Sequence, residues 1–240
     1  MVGKMEKVKL LIESDRFIEV DNPFGEKSTD YICKNTFVFE KGKIYGIICE
    51  HGAGGESIAR LLSNTTPLKG EKVFVDDVEI GASTIEKLGW YLGKVLYSRG
   101  LIKRELSFRQ ALEMAIKEQH YYEKVDDIVK EFHLTPSRLD YSLSQNCEWE
   151  RWRMSMAIGY ANNKKIYCFP WMNTLEFYDC LYNSSVFRFF KKLTREGAII
   201  ILPTSRKENV NKLVDHIVQI HNTRFEHCIS ESAYFKEYFK

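Results

Sequence analysis

Over residues 7–20, β-branched and aromatic residues alternate in part with polar ones, a pattern that predicts a strand. Asn22-Pro23 and Gly25 read as the turn that follows. Tyr31, Cys33, Phe37 and Phe39 occupy alternate positions over residues 31–39, as in a strand with one buried face. Lys41-Gly42-Lys43 then turns into Ile44-Tyr45-Gly46-Ile47-Ile48-Cys49, a nearly continuous apolar run suited to a strand buried on both faces. A glycine-rich stretch, Glu50-His51-Gly52-Ala53-Gly54-Gly55-Glu56-Ser57, gives way to a helical pattern over residues 58–62. Strand, glycine-rich loop and helix in that order carry most of the information in the first quarter of the chain.

Further on, residues 70–80 form a hairpin-like pair of strands broken at Asp76-Asp77. Residues 107–118 place Phe108, Ala111, Leu112 and Ala115 on one helical face. Residues 121–161 read as mostly helical, with Pro136 opening a turn. The rest alternates: strand 165–169, helix 175–195, strand 198–202, helix 207–214 and strand 216–220. Strands and helices alternating at both ends imply an α/β fold with a mixed sheet, and the helical middle implies an inserted subdomain.

Composition narrows the function classes. The 240 residues suit one domain, and 44% hydrophobic with 28% charged residues excludes extensive disorder. Thirty-five Lys+Arg against 33 Asp+Glu leave +2, which gives no electrostatic case for nucleic acid. Residues 198–202 are the longest purely aliphatic run, far short of the ~20 residues a membrane-spanning helix needs. Residues 1–10 lack the pattern of a secretory signal, so the expectation is a cytoplasmic chain. The six cysteines (Cys33, Cys49, Cys147, Cys168, Cys180, Cys228) include no C-x-x-C pair and read as reduced core residues. His216 and His221, five apart, have the wrong spacing for a metal pair on one helix face, so no metal is expected.

Six segments in order resemble the nucleotide-binding domain of an ABC transporter. Residues 41–57 resemble the strand and Walker A loop, and residues 70–80 the strand pair after the first helix. Leu88-Gly89-Trp90-Tyr91 resembles the strand before the glutamine loop, and residues 107–112 the start of the helical subdomain. Residues 157–169 resemble the signature helix with the Walker B strand, and residues 214–225 the C-terminal strands. The resemblance implies a P-loop NTPase-like ABC fold with a mixed sheet core, an antiparallel β subdomain and an inserted helical subdomain at about residues 103–162. The whole chain, residues 1–240, would be one such domain.

The chemistry of that family needs parts this chain lacks. A phosphate loop, G-x-x-x-x-G-K-[ST], wraps phosphates in backbone N–H groups, adds a lysine and holds Mg²⁺ on a hydroxyl. Here His51, Gly52, Ala53, Gly54, Gly55, Glu56 and Ser57 occupy the phosphate-loop position, with Gly55 in place of the lysine and Glu56 in place of the hydroxyl. Sliding by one residue puts Ser57 at the hydroxyl and Glu56 at the lysine. Either register brings a carboxylate towards polyphosphate, and two unit charges ~4 Å apart at an effective dielectric near 20 repel by about 4 kcal/mol. ATP and Mg²⁺, the cofactors the resemblance implies, are therefore disfavoured. Pro170-Trp171 stands where Walker B needs Asp-Glu, and Trp has neither a carboxylate for a hard cation nor a base for water. Gly93 falls near the glutamine position, Pro203-Thr204-Ser205 replaces the switch histidine, and the signature is degraded at residues 143–147 or 146–150.

All five catalytic positions are lost while the scaffold is kept, which implies a pseudo-ATPase with no catalytic residues. As the resemblance has it, such a chain pairs with transmembrane permease subunits and a second nucleotide-binding subunit, in a heterodimer on the inner face of the cell membrane. Two alternatives stay open: an active ATPase in which Lys43, Lys69 or Lys94 reaches a phosphate and Glu50 or Glu56 a metal, and a soluble regulatory or scaffold protein. Phe17 and Phe24, where the family stacks adenine, are expected to pack instead. Trp149 and Trp152 are expected in the helical core beside Met156, and Glu148, Glu150, Arg151 and Arg153 on a solvated face. Glu176 and Asp179 suit the positive start of a helix. The aromatic tail at residues 234–239 reads equally as a docking helix or a frayed end.

Overall fold

A computed structural model describes residues 5–21, 27–98, 102–119 and 124–222. The chain begins with strands β1 (Lys7–Ile12), β2 (Arg16–Asp21), β3 (Lys27–Ile32) and β4 (Asn35–Glu40). Each stretch expected as one strand is therefore two. Glu13, Ser14 and Asp15 are exposed and end β1, and Asp15 holds the next corner by accepting from the Lys34 N–H at 2.6 Å. β2 and β3 form a separate antiparallel hairpin, while β1 pairs with β4.

Next come β5 (Ile44–Ile48), α1 (Gly55–Leu62), β6 (Lys72–Val75), β7 (Val78–Ile80), α2 (Ala82–Leu88) and β8 (Gly89–Tyr91). The hairpin β6–β7 turns at Asp76 and Asp77, both left-handed (φ 49° and 68°), as a tight turn with short polar side chains allows. Three helices follow: α3 (Phe108–Gln119), α4 (Val125–Glu131) and α5 (Glu148–Ala161). The buried face of α3 is the expected set Phe108, Ala111, Leu112 and Ala115. Only a short 3-10 turn, Pro136–Arg138, interrupts the otherwise irregular interval between α4 and α5, so the described residues 124–161 are less helical than expected.

β9 (Ile166–Cys168), α6 (Thr174–Phe177), α7 (Phe190–Arg195), β10 (Ile199–Thr204), α8 (Lys207–Val210) and β11 (His216–Gln219) complete the described chain. The expected helix 175–195 is broken into α6, a π-helical turn Tyr178–Asn183, a 3-10 turn Val186–Phe189 and α7. Ser184 causes the break: its hydroxyl donates to the Cys180 carbonyl and accepts the Val186 N–H at 3.2 Å, while Ser185 turns left-handed (φ 59°). The expected helix 207–214 shrinks to the single turn α8.

Five strands in the order β11-β5-β10-β9-β8 make a parallel sheet, and β4-β1-β6-β7 make an antiparallel one. Side chains of the parallel strands alternate between two cores, as a period of two requires. Ile44, Ile48, Tyr167, Phe169, Ile200 and Leu202 face the helices α3, α5 and α7. Tyr45, Ile47, Ile166, Cys168, Ile199 and Ile201 face α1 and the antiparallel sheet. Both faces are covered, which explains the unbroken apolar runs at β5 and β10. α1 lies almost wholly inside, and so the loop that begins it is held rigidly at the C-terminal edge of the sheet.

Several residue-level expectations change. Glu150 is 4% exposed, not solvated: it accepts the Thr135 N–H at 2.6 Å and Arg153 at 2.7 Å. Trp152 is buried but Trp149 is 54% exposed: Trp149 lies in the first turn of α5, and only from Met154 onward is the helix buried all round. Cys49, Cys168 and Cys180 are buried thiols, whereas Cys147 is exposed. Phe17 is 53% exposed and packs on the Tyr31 ring at 4.8 Å between centroids. Phe24, Cys228 and the aromatic tail lie outside the described residues.

Candidate functional site

The glycine-rich loop leaves β5 at Cys49, whose N–H donates to the Thr204 carbonyl of β10 at 3.1 Å. Gly54 caps α1 in the left-handed region (φ 109°), and a Cβ there would sit 3.2 Å from the Tyr31 carbonyl oxygen. The next residue, Gly55, has still less room. A Cβ would lie 2.5 Å from the Cys49 sulfur, 3.2 Å from Pro203 and 3.3 Å from Trp171. The position aligned with the family's lysine is thus covered on three sides.

The nest of backbone donors holds an acid from elsewhere in the chain. Asp30, on β3 and 1% exposed, accepts the Gly54 N–H at 2.7 Å on one carboxylate oxygen and the Ser57 N–H at 2.6 Å on the other. Burial of an ionised carboxylate costs several kcal/mol. Two charge-assisted hydrogen bonds at roughly 1.5–3 kcal/mol each and the positive end of α1 offset it. The hairpin is tied to the loop again where the Tyr31 N–H donates to Gly52 at 2.8 Å, and Asn222 donates to the Tyr31 carbonyl at 3.0 Å.

Glu56 makes a second internal knot. One carboxylate oxygen accepts Arg60 Nε at 2.5 Å and the Tyr91 hydroxyl at 2.5 Å; the other accepts the Trp171 backbone N–H at 2.7 Å. Burial, and then the Glu56 charge, pushes the Tyr91 phenol well above its ordinary range, so it stays a donor. The Trp171 indole N–H donates to the Cys49 carbonyl at 3.0 Å, which lays the ring across the base of the loop. Residues from the Walker A-like loop, from the end of β8 and from the end of β9 are therefore joined through one carboxylate.

A cleft of about 210 Å³ opens between these residues and α5, lined by Asp30, His51, Glu56, Arg60, Arg151 and Trp171 among others. The predicted loop residues His51, Gly52 and Glu56 border it; His51 is exposed and its ring meets Trp171 edge-on at 4.9 Å. Ala53, Gly54, Gly55 and Ser57 are buried beneath. Lys43, Lys69, Lys94 and Glu50 do not line the cleft. Gly93 sits beside the Trp152 ring and donates its N–H to Ser155 at 2.8 Å. Thr204 donates to the Met172 carbonyl at 2.8 Å, while Glu176 caps α6 with Asn173 as its place at a helix start implies. Among the described residues no group of three His, Cys, Asp or Glu side chains is placed to hold a metal.

Asp30, Tyr91 and the Trp171 indole are the parts that sequence reading missed. Asp30 precedes the loop by more than twenty residues, and no spacing rule links a strand acid to a loop behind it; the one signal is a carboxylate set beside Tyr31-Ile32 in an otherwise half-buried strand.

No protein-family model matches the chain, and no curated protein matches it. Solved structures do. The ATP-binding subunit of an ABC transporter superposes with a TM-score of 0.62 at 14% identity, over 89% of this chain and 86% of that one. The cbiO1 protein of Clostridium perfringens, part of the ABC transporter complex cbiONQ, superposes with a TM-score of 0.62 at 12% identity, over 98% and 94%. A bacterial Atm1-family ABC exporter with ATP bound gives 0.61 at 14% identity, over 92% of this chain and 38% of that one. The chain has the α/β fold of ABC transporter ATP-binding subunits, with its helix-covered parallel sheet and antiparallel subdomain.

Proposed function

We propose that this chain is a catalytically silent ATP-binding-type subunit of an ABC transporter complex, which pairs with a second nucleotide-binding subunit and with transmembrane permeases. The single observation that carries the reading is the Glu56 knot. The residue aligned with the Mg²⁺-binding hydroxyl is a carboxylate already engaged by Arg60, Tyr91 and the Trp171 N–H. The residues at the loop do not fit a magnesium–triphosphate group: a second carboxylate, Asp30, occupies the backbone donors, and the lysine position has no room for a side chain. No catalytic step follows from this arrangement. What the domain contributes is shape, a rigid ABC-type half against which an intact partner closes.

The partner assignment draws on the fold and on the solved relatives, one of which is part of a multi-subunit transporter complex. No helix among the described residues is long and apolar enough to cross a membrane, which agrees with permeases on separate chains. Peripheral attachment to the inner membrane face follows from the same reading.

The test measures ATP hydrolysis by the purified full-length chain, together with capture of its partners from detergent-solubilised membranes. Turnover at background and co-purification of a permease and a motif-intact ATP-binding subunit are the expected outcome. Turnover well above background that is lost in Glu56→Ala would overturn the reading in favour of an active enzyme. Capture of neither partner would overturn it in favour of a scaffold.

A further inference from the structure

We infer that Asp30 is a built-in anion that stands in for a ligand phosphate, so that the loop and α1 hold their closed shape without nucleotide. This rests on the reading of the loop given above and adds to it what fills the nest. Asp30 is 1% exposed, and each of its two oxygens takes one of the backbone N–H groups, Gly54 and Ser57, that start an eight-residue helix. A tetrahedral oxyanion at a helix start makes the same two contacts. Ser57 supplies an independent sign that the nest is shaped for a group with oxygens set in more directions than a planar carboxylate has. It is wholly buried, and its hydroxyl meets no hydrogen-bond partner among the described residues. Neither Asp30 oxygen bonds that hydroxyl, whereas a tetrahedral phosphate has further oxygens, set out of the carboxylate plane, to offer it.

The strap that carries the acid is anchored independently of it. β3 pairs with β2 over six residues, and its Tyr31 is tied to Gly52 and Asn222 by backbone groups. Shortening the Asp30 side chain to alanine therefore empties the nest while the strap stays in place, and asparagine removes the charge but leaves one acceptor. The nest borders the cleft through Asp30 itself, so a small anion has a way in.

The experiment compares full-length wild type, Asp30→Ala and Asp30→Asn by thermal melting, in inorganic phosphate or pyrophosphate against chloride at matched ionic strength. Wild type is expected to ignore phosphate. Asp30→Ala is expected to melt lower and to recover in phosphate, binding it at least about tenfold tighter than wild type does. Asp30→Asn keeps one acceptor oxygen and falls between the two. Amide NMR of wild type supplies a readout that does not depend on the variants folding: the Gly54 and Ser57 N–H signals should lie downfield and stay fixed as phosphate is added. Movement of those signals in wild type, or a folded Asp30 variant with no response to phosphate, overturns the inference. No nucleotide is present in these measurements, so their failure is distinct from a finding of ATP turnover, which bears on the proposed function alone.

Discussion

Lys164 shows how one residue sets a pH dependence. Its ammonium donates to the Glu86 carbonyl and lies 5.9 Å from the centre of the Trp90 ring. Burial, and then the charge of Lys94, pulls its pKa from the ordinary 10.5 down to about 8. The folded state therefore holds fewer protons than the unfolded chain between these values, and stability rises with pH across that window. Below pH 8 the charged lysine opposes folding by about 1–2 kcal/mol once solvent screening is allowed for. Lys164→Met should accordingly be more stable than wild type near neutral pH, by about 1 kcal/mol after the loss of the hydrogen bond to Glu86. Urea melts at a series of pH values check this, and the gap must close as pH climbs past 8 towards 10.5. Glu56 was as legible as Lys164 was not, because a loop pattern marks its position. Burial of Lys164 depends on Trp90 and Glu86, which approach it only in three dimensions.

Among the elements, α1 tolerates little at its first residue. Gly55→Ala forces a methyl group against the Cys49 sulfur at 2.5 Å, between Pro203 and Trp171. Such overpacking should cost about 1–3 kcal/mol, read as a lower urea midpoint. Gly55→Lys, which restores the letter of the phosphate-loop pattern, should lose more stability and bring no ATP turnover; a gain in turnover would contradict the description of Gly55 as sealed. Continuous aliphatic runs made β5 and β10 legible, and four apolar residues at helical spacing did the same for α3. The short helix α2 has just two buried residues, Ile85 and Leu88, too few to show a period. The break after α6 depends on how Ser184 spends its hydroxyl, and propensity over residues 175–195 does not register that.

The molecule as a whole is two cores back to back on one parallel sheet, and its thiols report on both. Burial raises the Cys49 thiol, with the Asp30 charge adding to it, and burial raises Cys168 likewise. Cys49 and Cys168 belong to the core that holds α1, and Cys180 to the helical one. Maleimide should label exposed Cys147 at once in native protein and reach Cys49, Cys168 and Cys180 at one common urea midpoint. Peptide mass spectrometry checks it; earlier labelling of Cys180 would mean that the helical layer opens by itself. The ABC-type fold was legible because hydrophobic order survives at every element that crosses the sheet. The site was half legible, since the sequence shows which groups of the phosphate-loop pattern it lacks but not which distant ones meet at the loop. Those contacts bear on how such a chain can change over generations. A lysine at 55 collides, loss of Glu56 takes an acceptor from Arg60, Tyr91 and the Trp171 N–H, and loss of Asp30 empties the nest. Each of these single changes towards the phosphate-loop pattern lowers the stability of the fold before it can add catalysis, so mutation one residue at a time meets a barrier.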